Sequence, residues 1–487
     1  MRGGPTLNAA RRDGVRGALL AVVLGFTAPA AAQPFDRAAW VADFNQLKDA
    51  VTRRSPNLEW AAERGMDLPA TERRARERLA AATDDAGARV ALDRFVRSFA
   101  DGHMELSWPA PPRASAAPAL RSTCAALGYR SDPDSDAAAT RLAGYAPVGP
   151  QDGPVRAGLV RQAGRTLGVL RIPIFAPSES MCAAVLAERG MPADAPCDAK
   201  CADGLSRRAD ALFLSAIADR IRLLAAAPAD LLLLDVAGNG GGDDSSIATA
   251  RMIGGPDVPT PRLAFLRSAA RLEDLAEDEA ELWAGLAEAD PADRALVRRL
   301  LPTYAKARAQ AARPCDLSPL WRGERADCTN LVNGPFHAGG LTPTDPFGGP
   351  RTGVWAAQIS ATARFAFTPA RWTGPVLVLV DGNSASSTEL LAAMLQDARR
   401  AVIIGSPTFG AGCGWTLPRE DVVLRHSGGR LALPDCARRR RDGSNELDGI
   451  EPDILVGFRQ FDTPEQRVRR LLSRLPVAID ATMRMPR

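Results

Sequence analysis

Residues 375–389 read PVLVLVDGNSASSTE. The first six form a short, almost wholly apolar run, the pattern of a strand buried on both faces. The next six are small or turn-forming residues. From Ser386 the segment SSTELLAAMLQDA (386–398) carries the apolar spacing of a helix. A strand that turns sharply into a helix puts the Ser386 hydroxyl at a helix N-terminus, where backbone N–H groups and the helix dipole favour developing negative charge. The same letters also spell a capping box, Ser386-x-x-Glu389, which requires no chemistry at all. Two further apolar strands flank this unit. LLLLDV (231–236) runs into Gly238-Asn239-Gly240-Gly241-Gly242 and a helix, SSIATARMI, and AVIIG (401–405) follows the serine helix. Strand–helix alternation of this kind predicts a parallel sheet between helical layers, an α/β fold.

Outward from this centre, LGVLRIPIF (167–175) is another buried strand, and residues 209–228 form an amphipathic helix. Residues 270–312 are charged and helical, with Pro291 as a breaker. WVADFNQLKDAV (40–51) and ARVALDRFVRSF (88–99) have helical spacing, and the second ends at the turn Ala100-Asp101-Gly102-His103 before strand-like MELSW. Residues 108–155 are rich in Ala, Pro, Gly and Asp and read as a loop-heavy connector. The chain closes with a helix, EQRVRRLLSRL (465–475).

With 487 residues, 46% apolar, the chain is long enough for more than one domain. A net charge of +4 is too small to point to nucleic acid, and only Lys48, Lys200 and Lys306 are lysines. Arg11, Arg12 and Arg16, the run GALLAVVLGF (17–26) and Ala30-Ala31-Ala32 give the pattern of a cleaved export signal. No later stretch has the length of a membrane helix. Eight cysteines, all beyond that segment, fit disulfides in an oxidising compartment. The natural local pairs are Cys315–Cys328, Cys413–Cys436 and two among Cys182, Cys197 and Cys201, with Cys124 taking the remaining partner. A zinc site is the weaker alternative, since no paired CxxC occurs and only His103, His337 and His426 are histidines.

Four motifs in order give a resemblance. The serine elbow continues into Gln396-Asp397, AVIIGSP and Thr408-Phe409-Gly410-Ala411-Gly412. Upstream stand Asp101-Gly102-His103 and Asp235–Gly242, and downstream Glu446-Leu447-Asp448-Gly449-Ile450-Glu451-Pro452-Asp453. Together they resemble serine peptidase family 41, the tail-specific (C-terminal processing) and tricorn-core peptidases. The resemblance implies Ser386 as nucleophile. It also exposes a departure: where tail-specific members carry a lysine base, this chain has Ala411. The tricorn-core branch instead uses a histidine supported by a serine and a glutamate. His103 matches the histidine and Glu446 the glutamate, while Gly102 stands where that branch has serine. Histidine is a suitable base near neutral pH. Glu446, directly or through water, is the expected support for its ring, with Asp101 in reserve. The backbone N–H of Ser387 with that of Gly240 or Gly241 is the expected oxyanion hole.

The resemblance further implies a fold like that of crotonase and the Clp peptidase, with stacked strand–strand–helix units. The expected organisation is a signal peptide over 1–32, a helical N-terminal subdomain over 33–108 and a connector over 109–165. A peptidase core follows over 166–475, with a helical, cysteine-bearing insertion at about 257–355, then a tail over 476–487. The interval from Glu105 to Leu167 shows no convincing PDZ pattern. The expected partners are protein or peptide substrates, with no nucleic acid, no stable membrane insertion, no cofactor and no metal, in an exported, periplasmic or secreted protein. The pattern sets no oligomeric state. A non-catalytic ligand- or peptide-binding protein on the same fold is the alternative, motivated by the missing lysine. The run Arg438–Arg441 reads as a solvated loop or as a clamp for a substrate carboxylate, and Asp397 as an anchor at the far end of the serine helix.

Overall fold

In a computed structural model, residues 34–110, 122–133, 137–151, 153–326, 331–416 and 420–486 are described. The expected export signal, the central part of the connector and Cys328 lie outside them. Residues 37–487 form one compact unit.

Its centre is a seven-stranded sheet. In spatial order the strands are Ile454–Leu455, Val402–Gly405, Val376–Val380, Leu231–Asp235, Arg165–Arg171, Arg156–Gln162 and Ala146–Pro147. The first five are mutually parallel, with Leu234 opposite Val378 and Leu379 opposite Ile404. The last two add antiparallel at one edge. The run LLLLD is continuous because each face of the strand meets its own apolar layer. Leu232 and Leu234 face a core shared with Phe213, Ile217, Leu391 and Met394. Leu231 and Leu233 face one shared with Leu471, Leu475 and Ile479. The first layer holds the helices Ala199–Ala226, Ser245–Gly254 and Ser387–Asp397, and the second the helix Pro464–Arg484.

Three local readings change. The long helix begins at Asp198, whose side chain caps the Cys201 N–H, rather than near residue 209. The strand Arg156–Gln162, paired between Arg165–Arg171 and Ala146–Pro147, lies inside the expected connector, where its polar and half-buried positions leave no apolar run to see. The last helix continues past Pro476 to Arg484, so a tail starting at 476 has no structural boundary. Ala478, Ile479 and Thr482 are buried against the sheet, and that packing outweighs the single hydrogen bond that proline removes. Among the described residues no helix is long and apolar enough to cross a membrane.

The N-terminal part forms the helices Arg37–Arg54, Leu58–Glu63, Leu68–Ala81 and Asp85–Arg97. They are docked by Asp43, whose buried carboxylate accepts from the backbone N–H groups of His426 and Ser427, both at 2.9 Å. That turn belongs to a small sheet in which Glu105–Ser107 pairs with Arg430–Ala432. The strand following His103 is therefore fixed to the C-terminal third of the chain. Disulfides join Cys124 to Cys182, Cys197 to Cys201 and Cys413 to Cys436.

Candidate active site

Ser386 closes the turn between the strand Val376–Val380 and the helix Ser387–Asp397, with φ 56° and ψ −115°. Positive φ is costly for a residue with a Cβ and persists only where surrounding contacts enforce it. Here the contacts lie between the turn and the glycine loop. Asp381 Oδ1 accepts from Gly238 N (2.7 Å) and Asn383 N (3.0 Å), and the buried Ser384 hydroxyl donates to Val236 O (2.9 Å). Ala385 N donates to Asn239 O at 3.0 Å. Gly241, at φ 105°, presses against the elbow: a Cβ there would lie 2.7 Å from Ser386 Cβ and 2.8 Å from Ala385 O. Only glycine fits this approach.

Glu389, the residue that reads as a capping partner, joins two segments. It is fully buried, and its carboxylate accepts from Ser386 N (2.8 Å), Thr408 Oγ1 (2.6 Å), Gly410 N (2.6 Å) and Ala411 N (2.9 Å). It therefore holds the loop 408–411 against the elbow. That loop presents the carbonyl of Ala411 to His103 Nδ1 at 2.8 Å. A carbonyl only accepts, so Nδ1 carries the proton and Nε2 keeps its lone pair. Nε2 faces Ser386 Oγ at 3.1 Å. The backbone of the His103 turn is set by Asp101, whose Oδ1 accepts from His103 N at 3.0 Å. Asn57 and Asn445 extend this support, Asn57 to Asp101 at 3.3 Å and Asn445 to Asn57 at 2.9 Å. Trp415 stands edge-on to the imidazole at 5.2 Å.

Burial pushes the His103 pKa down to about 4; the Ala411 carbonyl opposes this and the Arg438 charge adds to it. Burial also raises Asp101 to about 6, against the lowering effect of its bonds from His103, Asn57 and Met104.

The carboxylate expected behind the ring makes no direct bond to it. Glu446 is fully buried, but its Oε2 takes Arg438 Nη1 at 2.8 Å, and its Oε1 has no hydrogen-bond partner among the described residues. Burial raises its pKa, with the Arg438 charge opposing. Asp101 touches the turn backbone rather than the ring. The position behind the imidazole is filled by the Ala411 carbonyl, because Gly102 lets the 409–411 loop close down. A Cβ at Gly102 would lie 2.6 Å from Phe409 Cε1 and 3.1 Å from Ala411 Cα. A serine there would require Phe409 to turn aside and the loop to give by a few tenths of an ångström.

The oxyanion donors are also narrowed. Gly241 N donates to Asn239 Oδ1 at 2.9 Å, which removes it from the expected pair. Among the described residues no protein acceptor takes the N–H of Gly240 or of Ser387; Ser387 opens the helix after Ser386, and Gly240 precedes the Gly241 that presses against the elbow.

The arginine run is not a solvated loop. Arg438 is buried; Arg440 pairs with Asp397 and donates to Gln396 Oε1 (2.8 Å); Arg441 donates its backbone N–H to Asp397 Oδ2 (3.3 Å). Asp397 anchors the far end of the helix. His337 bonds Thr260 O through Nδ1 (3.2 Å), and His426 packs edge-on against Trp40, so neither joins the site. A cavity of about 390 Å³ lies beside Trp415, lined also by Asp244, Phe336, Tyr304 and Arg364. Among the described residues no group of three or more His, Cys, Asp or Glu is arranged to hold a metal ion.

The sequence profile of Peptidase family S41 matches residues 213–456. A carboxy-terminal-processing protease of Bartonella bacilliformis is 39% identical over 83 residues, 17% of this chain and 18% of its own. The chloroplastic carboxyl-terminal-processing peptidase 3 of Arabidopsis thaliana is 29% identical over 106 residues, 21% of this chain and 19% of its own. The chain thus spans only about a fifth of the length of these relatives. In overall fold it is similar to mature CPAF complexed with lactacystin. The TM-score is 0.56 at 14% identity, covering 92% of this chain and 99% of that one.

Proposed function

Because the chain belongs to peptidase family S41, we propose that it is a serine peptidase acting through a Ser386 acyl-enzyme, with His103 as general base. The observation that carries this reading is the 3.1 Å contact between His103 Nε2 and Ser386 Oγ at a strained strand-to-helix elbow. The bond from Nδ1 to Ala411 O leaves Nε2 as the basic nitrogen.

The Ser386 hydroxyl attacks the peptide carbonyl and its proton passes to His103 Nε2. The tetrahedral oxyanion accepts from the N–H groups of Ser387 and Gly240. His103 protonates the departing amine as the C–N bond breaks. Water, deprotonated by the same nitrogen, then hydrolyses the ester. The imidazolium formed in between is stabilised by a neutral carbonyl rather than a carboxylate, which makes His103 a weaker base than in an Asp-backed triad. Ala411 in place of the lysine, together with a histidine base, supports a reading on the tricorn-core side of the family. Disulfides and the N-terminal pattern support export, and protein or peptide chains are the substrates.

A fluorophosphonate probe tests the reading. Labelling of the purified protein that disappears in Ser386→Ala and in His103→Ala supports it. Labelling that survives Ser386→Ala refutes the assignment. No labelling at any pH would favour a binding protein on the same fold.

A further inference from the structure

Arg438 is a buried cation beside the elbow that the reaction above does not use. It sits in the strand Ala437–Arg439, which already pairs antiparallel with Arg262–Leu266, so the strand does not need this side chain for its own position. Its Nη1 reaches two acceptors, Glu446 Oε2 at 2.8 Å and the carbonyl oxygen of Ser386 at 3.4 Å. The second contact falls on the residue whose backbone is strained. The same carbonyl accepts from Leu390 N at 3.0 Å, closing the first helical turn. Two donors on one carbonyl fix ψ of Ser386 and hence the direction of its side chain. Cys436, two residues before Arg438, is disulfide-bonded to Cys413, two residues after Ala411. One short segment thus carries both the brace on the nucleophile and the staple on the loop that fixes the histidine.

We propose that Arg438, anchored by Glu446, is a positioning residue for the nucleophile: it holds the Ser386 carbonyl and so keeps the hydroxyl turned toward His103. Glu446 serves as counter-ion to this brace. The role rests on the peptidase reading for its catalytic readout but not for its electrostatic one.

The charges around His103 give the proposal a signature. Asp101 holds its backbone from the same turn, Glu389 holds the Ala411 loop behind its ring, and Arg438 reaches the Ser386 carbonyl with Glu446 as its counter-ion. The Arg438 cation disfavours the imidazolium, and Glu446 offsets that cation. Removing the cation makes His103 easier to protonate, while removing only the counter-ion makes it harder. A general loosening of the site would move both variants the same way, toward a free imidazole.

The chain has three histidines, so the His103 imidazole is assignable by NMR with His337→Asn and His426→Asn as references. The test titrates His103 and measures fluorophosphonate labelling at pH 8 in Arg438→Met, Arg438→Lys and Glu446→Gln. Expected is an upward move of the titration by about one pH unit in Arg438→Met and a downward move in Glu446→Gln. Arg438→Lys, which keeps the charge but not the reach, should titrate like the parent yet label at least tenfold more slowly. Should Arg438→Met fail to fold, the other two variants carry the same comparison. Shifts in the same direction, no shift in either charge variant, or parental labelling by Arg438→Lys would each overturn the proposal. If the parent itself never labels, the peptidase reading falls, and the His103 titration still decides the charge balance.

Discussion

Replacing Glu389 with glutamine tests how the two halves of the site are joined. A carboxylate only accepts, which suits the four donors around it. Glutamine turns one oxygen into an NH2. Placed at the Oε2 position, that group faces the N–H of both Ser386 and Ala411. Placed at Oε1, it faces the N–H of Gly410 and the Thr408 hydroxyl, which already accepts from Ile450 N at 2.7 Å. The second arrangement is milder, yet it still strands one buried backbone N–H, at about 1–3 kcal/mol. The two bonds that remain lose their charge assistance, while relief from burying a charge offsets part of the loss. The expected net destabilisation is about 2 kcal/mol, roughly 2 °C in Tm for a unit of this size. Function should suffer more. Once the 408–411 loop loosens, the Ala411 carbonyl no longer fixes the proton on Nδ1, and the labelling rate of Ser386 should fall at least tenfold. Thermal unfolding by circular dichroism and labelling kinetics at pH 8 measure the two effects. A Glu389→Gln protein that melts and labels like its parent would refute the claim that this carboxylate ties the loop to the elbow.

The acid limb of Ser386 labelling should lie near pH 4 rather than at the ordinary histidine value, because burial holds the His103 pKa down to about 4; a limb at pH 6–7 would contradict this. The same depression means the unfolded chain takes up the proton first, so the His103 contribution to stability is lost as pH falls from about 6.5 to 4, and His103→Ala should flatten the stability profile there. Gly102→Ser, although it restores the tricorn-type residue, should slow labelling at least tenfold, since its Cβ meets Phe409 and Ala411; faster labelling would show that the loop yields freely. Loss of the Cys413–Cys436 bridge in the double serine variant should cost roughly 3 kcal/mol by chain entropy and slow labelling, read by urea unfolding with the probe assay; unchanged kinetics would separate the bridge from the site.

The parallel strands, the helices beside them and the sharp turn at Ser386 were all legible, because each rests on local rules. Apolar runs of five or six residues, small residues at a turn and 3.6-residue spacing need no knowledge of distant segments. Reading Ser386-x-x-Glu389 as cap or nucleophile offered a choice that the structure does not require. The Glu389 carboxylate takes the Ser386 N–H as a capping partner would, and Ser386 Oγ faces His103.

Partner choice was not legible. Arg438 and the arginines after it look like surface charges in a sequence, since such residues are exposed by default, and the resemblance put Glu446 behind the imidazole. Their burial depends on which segments fold over them. The group behind the imidazole was decided by space: Gly102 has no side chain, so the loop closes and a carbonyl arrives where a carboxylate was expected. Likewise, Gly241 reads as an oxyanion donor until Asn239 folds beneath the loop and takes its N–H. Periodicity and turn chemistry act within a few residues, and they suffice for the sheet, the elbow and the chemical types available. Tertiary structure alone decided which of those groups meet, because hydrogen-bond partners hundreds of residues apart are set by close packing to within a few tenths of an ångström.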